Sequence, residues 1–274
     1  MSADPIPVRP SAILSALIIF RQVWQYRWQL WVDFRKDLFA PHRGSLGQSL
    51  WIVVLPCVPL SVYMLLGTLR VFPTRSGMDG VAYVIVGATL WYLMAGLTTG
   101  AMSALSSKGK SAVQDSYPLV AVLASANVQQ VFDFSVRVLV SLAILLFVQP
   151  PNVVGALLFI PALVPAALLF VGLGLIFGIF SVAIVDLYRL LPILLQYAFF
   201  LSLVLFPLPE IGIIPSLLTA NPFAVFIDNI RHLLLLGTLS NAAAYAVWSV
   251  LSALVFLWAL RFYFASHARI AGHL

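Results

Sequence analysis

The 274-residue chain is 62% hydrophobic and only 9% charged, with a net charge of +6, against roughly 45–50% and about 25% in soluble domains. No aqueous fold could cover that much apolar surface, and no basic stripe gathers the charge as a nucleic-acid interface requires. Long runs that are apolar on all sides, in place of alternating segments of about ten residues, exclude a transmembrane barrel and leave an all-α integral membrane protein.

The first apolar stretch, residues 12–20, follows Arg9 but lacks the small-residue cleavage site of a signal peptide. Next come Trp24, Trp28, Trp31, Phe34 and Leu38 at helical spacing, with Arg21, Gln25, Gln29, Lys36 and Asp37 largely elsewhere. That pattern predicts an amphipathic interface helix over about residues 20–40. Reading residues 11–31 as a seventh span instead would place Arg21 and Arg27 in or near the hydrocarbon, at a cost of a few kcal/mol each.

Pro41 to Ser45 break the helix, and six apolar stretches follow at about residues 46–69, 81–107, 132–148, 153–185, 190–208 and 241–260. Each has the length a spanning helix needs, about 20 residues. Pro150-Pro151-Asn152 forms a tight turn between the third and fourth. Residues 207–237 are apolar but broken by Pro209, Gly212, Pro215 and Pro222 and carry Glu210, Asp228, Arg231 and His232. They predict short re-entrant helices at the outer face before the last span, one capped by Asn221 with Pro222 in its first turn. No linker divides the chain, so residues 1–274 read as one domain, with the spans between about 46 and 264.

With the N-terminus inside, Arg9, Arg21, Arg27, Arg35, Lys36, Arg43, Lys108, Lys110, Arg189, Arg261 and Arg269 fall on the cytoplasmic side, and only Arg70, Arg75 and Arg231 outside. The positive-inside rule therefore puts both termini in the cytoplasm of a multi-pass membrane protein. Lys108, Lys110 and Asp115 form a short cytoplasmic loop open to a partner. Lys108-Gly109-Lys110-Ser111 resembles the end of a phosphate loop, but Ala104 stands where glycine is required.

Asp133 and Arg137, four apart at the cytoplasmic start of the third span, share a helix face and can neutralise each other. Gly96 and Gly100, and Gly174 and Gly178, give small-xxx-small spacings for close helix packing. Trp91, Tyr92 and Phe132 are candidates for lining a sugar path. The lone Cys57 permits no intrachain disulfide, and His42, His232, His267 and His273 are too scattered for a metal site. No nucleophile elbow or paired-carboxylate site is visible, so a membrane enzyme acting on lipid-linked sugars is disfavoured. A secondary transporter would be expected to show inverted repeats, and none stands out.

Phe34-Arg35-Lys36-Asp37-Leu38, then His42-Arg43-Gly44-Ser45-Leu46-Gly47 with Trp51 and Pro56, resemble the arginine-rich approach to the first span in the permease subunits of ABC-2 type polysaccharide exporters. Asn221-Pro222 with Arg231 is similar to that family's external helical hairpin. Asp186-Leu187-Tyr188-Arg189 resembles its turn before the fifth span, with Val185 where arginine is more usual. The family exports O-antigen, as in lipopolysaccharide biosynthesis, and also teichoic acid and capsule.

The resemblance implies a homodimer in the cell membrane, the inner membrane of a Gram-negative host, joined by two ATP-binding cassette subunits that bind ATP and magnesium. This chain would then bind no cofactor and catalyse no hydrolysis. The helix with Trp24, Arg27, Trp28 and Trp31 would be a cytoplasmic gate, and the segment with Lys108, Lys110 and Asp115 would touch the ATPase. Arg35, Lys36 and Arg43 would attract the diphosphate of a lipid-linked glycan. Drug or lipid export by the same superfamily is the alternative.

Overall fold

In the computed structural model, residues 12–39, 48–69, 77–114, 119–206 and 220–273 are described, and among them every regular element is a helix. In chain order these are α1 (Ala12–Gln25), α2 (Arg27–Phe39), α3 (Gln48–Thr68), α4 (Gly80–Gln114) and α5 (Leu119–Val148). They are followed by α6 (Val153–Ala183), α7 (Val185–Phe200), α8 (Pro222–Leu236) and α9 (Ala242–His273). Among the described residues four stretches are long and apolar enough to cross a bilayer: Gly80–Ala104, Ala124–Val148, Val153–Ala183 and Ala242–Ser266. The first and fifth predicted spans correspond to shorter apolar segments, Val53–Thr68 within α3 and the 16-residue α7.

The long α4 is the central post, packed against α3, α5, α6, α7 and α8. Its burial explains the glycine pairs. A Cβ on Gly96 would collide with the Gln130 amide of α5, and one on Gly174 would collide with the Thr98 carbonyl of α4. Both spacings thus serve helix contact within the protomer. Thr89 and Ser141 add a buried hydroxyl bond of 2.8 Å between α4 and α5.

One end of the bundle is organised by polar caps. The Asp79 carboxylate accepts from Val81 and Ala82 N–H at the start of α4, while Gln149 Oε1 accepts from Asp79 N–H at 2.8 Å. Asn152 caps α6 through the N–H groups of Val154 and Gly155, and its own N–H donates to the Leu234 carbonyl of α8 at 2.9 Å. These caps satisfy donors that a helix start leaves open. Gly155 packs so tightly that any side chain there would strike the Leu233 carbonyl. Gly237 ends α8 in the left-handed conformation, φ 77°, which glycine adopts without strain.

Three expectations are corrected. The third predicted span belongs to a longer helix than residues 132–148: α5 begins at Leu119, so Asn127, Gln129 and Gln130 are helical, and Gln130 packs against Gly96 and Gly100 of α4. Lys108 and Lys110 lie in the last turns of α4, not in a loop: its 35 residues run about 52 Å, well beyond the roughly 30 Å hydrocarbon core. A helical backbone there also has no phosphate-loop shape. Third, helix α7 stops at Phe200, short of residue 208, and residues 201–206 turn away with Leu203 at φ 56°.

The amphipathic segment forms α1 and α2, and helical hydrogen bonds continue across Tyr26: its N–H donates to the Gln22 carbonyl at 2.9 Å, and its carbonyl accepts from Leu30 N–H at 3.0 Å. Leu30 and Phe34 of α2 are buried, with the Phe34 ring 5.6 Å from Phe132 of α5. Trp24, Trp28 and Trp31 point outward, Trp28 being 71% exposed.

Candidate functional site

Three clusters bring polar chemistry into this apolar scaffold. The first surrounds α8, whose start is held as the sequence predicts: Asn221 Oδ1 accepts from Phe223 N–H at 3.0 Å and Pro222 occupies the first turn. The other half of the Asn221 amide donates to the Leu201 carbonyl at 2.9 Å, tying α8 to the segment after α7.

Arg231 is wholly buried in the contact between α8 and α4. Its two terminal nitrogens donate to the carbonyls of Tyr83, at 3.2 Å, and Leu203, at 2.7 Å, while its guanidinium centre lies 3.5 Å from the Tyr83 ring centroid. The Tyr83 hydroxyl donates to the Leu203 and Phe206 carbonyls, each at 3.1 Å. Carbonyls released where α7 ends are therefore met by side chains from α4 and α8, as unpaired backbone in a membrane protein requires. Gly87 leaves the room: a Cβ there would sit 3.3 Å from an Arg231 terminal nitrogen.

Asp228 stands one turn before Arg231, with carboxylate oxygen Oδ1 3.8 Å from Arg231 and 3.4 Å from His232 Nδ1. That ring nitrogen also lies 2.8 Å from the Asp228 carbonyl oxygen. Facing two acceptors, Nδ1 carries the proton. Burial alone would raise the Asp228 carboxyl, but the hydrogen bond from His232, the Arg231 charge and a bond from Ser240 outweigh it and hold it well below the usual carboxylate range. Asn229 completes the set, donating to the Val225 carbonyl and accepting from Asn241 N–H, each at 2.9 Å.

The second cluster is at mid-span. Arg137 Nε donates to the Pro56 carbonyl of α3 at 2.8 Å, and the guanidinium centre is 4.8 Å from the Tyr92 ring of α4. Asp133 instead accepts from Gln129 at 3.1 Å. The two residues share a face and attract each other electrostatically, while their hydrogen bonds go to different partners. Arg137 lies near the middle of the apolar stretch Ala124–Val148.

The third cluster is the outer surface of α1 and α2. Arg27 folds over Trp24, its guanidinium centre 5.0 Å from the ring and one nitrogen donating to the Trp24 carbonyl at 3.3 Å. Arg35 and Lys36 are exposed on α2. Arg43 and Asp115 lie outside the described residues, and the side chains of Lys108 and Lys110 are likewise outside them.

Trp91 is 4% exposed, with ring centroids 4.6 Å from Phe223 and 5.6 Å from Phe199. In the protomer it is therefore a core residue and presents no open face to a path. Tyr92 and Phe132 are only partly buried. Asp186, Tyr188 and Arg189 are exposed in the first turns of α7, which follows α6 after the single non-helical residue Ile184. Among the described residues no group of three or more His, Cys, Asp or Glu side chains could hold a metal ion.

The sequence named Arg231 for the hairpin but not its partners. The spacing of Asp228, Arg231 and His232 at i, i+3 and i+4 signals a shared face, whereas Tyr83 and the Leu203 carbonyl come from far along the chain.

A central helix, spanning neighbours and a half-length helix plugged into one end form the frame on which the family comparison bears. The family described as ABC-2 type transporter matches residues 29–235, well over half the chain. The chain belongs to that family. No curated protein matches it. As an ABC-2 membrane component it is an embedded, multi-pass transport subunit, of a family that typically pairs with ATP-binding subunits.

Proposed function

We propose that this chain is the permease subunit of an ATP-driven exporter that carries a lipid-diphosphate-linked cell-surface polysaccharide out of the cytoplasm. Two copies with six spans each, the two shorter apolar helices included, enclose the path. Both termini lie in the cytoplasm, and the Asn152 end of the bundle faces outward. Two ATP-binding cassette subunits, which hold ATP and magnesium, complete the transporter and act on the region of Lys108, Lys110 and Asp115.

The observation that carries the polysaccharide reading is the outward tryptophan face of α1 and α2, with Arg27, Arg35 and Lys36 exposed beside it. Sugar rings pack on aromatic faces, and guanidinium groups grip phosphate oxygens in pairs. Arg43, between α2 and α3 in sequence, extends the same basic run. Tyr92 and Phe132 serve as the sugar-lining candidates, whereas the burial of Trp91 argues for a packing role.

The test is purification of the chain with its co-purifying ATPase in gentle detergent, reconstitution, and ATP-dependent transfer of a lipid-diphosphate glycan across the vesicle membrane. Transfer of that glycan supports the reading. Transfer of lipids or amphipathic drugs without glycan would move the assignment to the alternative cargo.

A further inference from the structure

The placement of Arg137 carries a further inference, which rests on the lipid-diphosphate reading above. A charged side chain near the middle of a span is costly unless it is paired or faces a water-filled cavity. Arg231 shows how this fold treats a structural arginine: it is fully buried, and both terminal nitrogens donate to carbonyls. Arg137 is treated differently. Its Nε is bonded to the Pro56 carbonyl and its plane lies over Tyr92, which fixes the side chain but occupies only one donor edge. The neighbouring carboxylate of Asp133 accepts a hydrogen bond from Gln129. Arg137 itself is partly exposed at the junction of α3, α4 and α5.

A guanidinium bonded at Nε, on a side chain that is only partly buried, keeps its two terminal amino groups for a ligand with paired anionic oxygens. We infer that Arg137, set on the Tyr92 ring and the Pro56 carbonyl, is a mid-membrane binding station for a phosphate-bearing head group, the diphosphate of the exported lipid-linked chain. It is a second station, one level deeper than the exposed Arg35 and Lys36. The same chemistry would accept the phosphate of an ordinary anionic phospholipid, so the experiment separates the two sources.

The complex with its ATPase subunit, in nanodiscs, is titrated with radiolabelled polyprenyl diphosphate, with the matching neutral polyprenol, and with phosphatidylglycerol. Wild-type protein is expected to retain the diphosphate, and Arg137→Gln to weaken that retention at least about tenfold, the scale of losing charge-assisted hydrogen bonds. Arg137→Lys should weaken it less, since it keeps the charge and loses the two-donor edge, and serves as the decisive variant if the glutamine form does not assemble. Polyprenol retention should not change. Wild-type diphosphate retention in both variants would overturn the inference while leaving the export reading to its own transport assay. Retention of phosphatidylglycerol that depends on Arg137, with none of the diphosphate, would keep the anion station and sink the lipid-diphosphate cargo.

Discussion

Two arginines lie in the apolar body of this protein, and their surroundings are opposite. Arg231 is enclosed between α8 and α4 with two carbonyls, an aromatic face and a carboxylate around it. Arg137 sits at a three-helix junction with one carbonyl and one aromatic face, and its nearest acid in sequence is bonded elsewhere. The difference teaches how to tell architecture from function in a membrane protein. A cation whose two terminal nitrogens are both taken up by carbonyls of its own chain holds helices together, as Arg231 does, while one bonded only at Nε has its terminal nitrogens left for a ligand.

The sharpest way to break the comparison is Arg231→Ala. It would take the Arg231 charge from the buried Asp228, which keeps His232 and Ser240, and remove one donor each from the Tyr83 and Leu203 carbonyls, at a cost of roughly 3–5 kcal/mol for a broken buried pair. Loss of monodisperse protein, or a large fall in Tm in detergent, is expected. Arg231→Lys should not rescue it, because one ammonium cannot reproduce the planar fork between the Tyr83 and Leu203 carbonyls. Near-wild-type stability of the alanine variant would show that α8 is held by its apolar side alone.

Gly155→Ala tests the same region by shape. A methyl group there meets the Leu233 backbone, so α6 and α8 must separate, with a loss of about 1–3 kcal/mol typical of overpacking. Thermal unfolding followed by tryptophan fluorescence measures it.

Asp228→Asn sharpens the electrostatic side. Because the carboxyl is held below its ordinary value, 3.8, its stabilisation is fully present above about pH 4 and is lost as pH falls below that. The wild-type Tm should therefore drop on acidification below about pH 4. The asparagine variant should start lower at neutral pH and lose less. Parallel acid limbs for the two proteins would remove Asp228 from the explanation.

Smaller effects are expected where side chains are open. Arg137→Gln should change stability by no more than about 1 kcal/mol, since it breaks one partly exposed hydrogen bond, while glycan transfer falls. Trp28→Ala, at a site 71% exposed, should change stability by no more than about 0.5 kcal/mol. If the outward tryptophan face handles glycan, transfer should drop all the same. Unchanged transfer in vesicles would assign that face to membrane anchoring.

Much of the scaffold was legible in the residues. Uniform apolar runs identified the helices, Asn221 with Pro222 marked the start of α8, and Pro150-Pro151-Asn152 marked the turn before α6. The polar residues before the third span have a packing cause that spacing did not show: Gln130 belongs to the contact with Gly96 and Gly100. Trp24, Trp28 and Trp31 are all exposed, but Phe34, which the spacing grouped with them, is buried with Leu30 and meets Phe132 of α5.

Composition and local spacing by themselves determined that the chain is helical, where most helices lie and which residues share a face, since these depend on hydropathy and on 3.6-residue periodicity. Only the tertiary structure decided which face is buried, that Arg231 is closed by Tyr83 and Leu203, and that Arg137 and Asp133 take different partners. Those outcomes depend on contacts between residues far apart in the chain. A helix apolar on every side carries no amphipathic signal to announce which neighbour each side will meet.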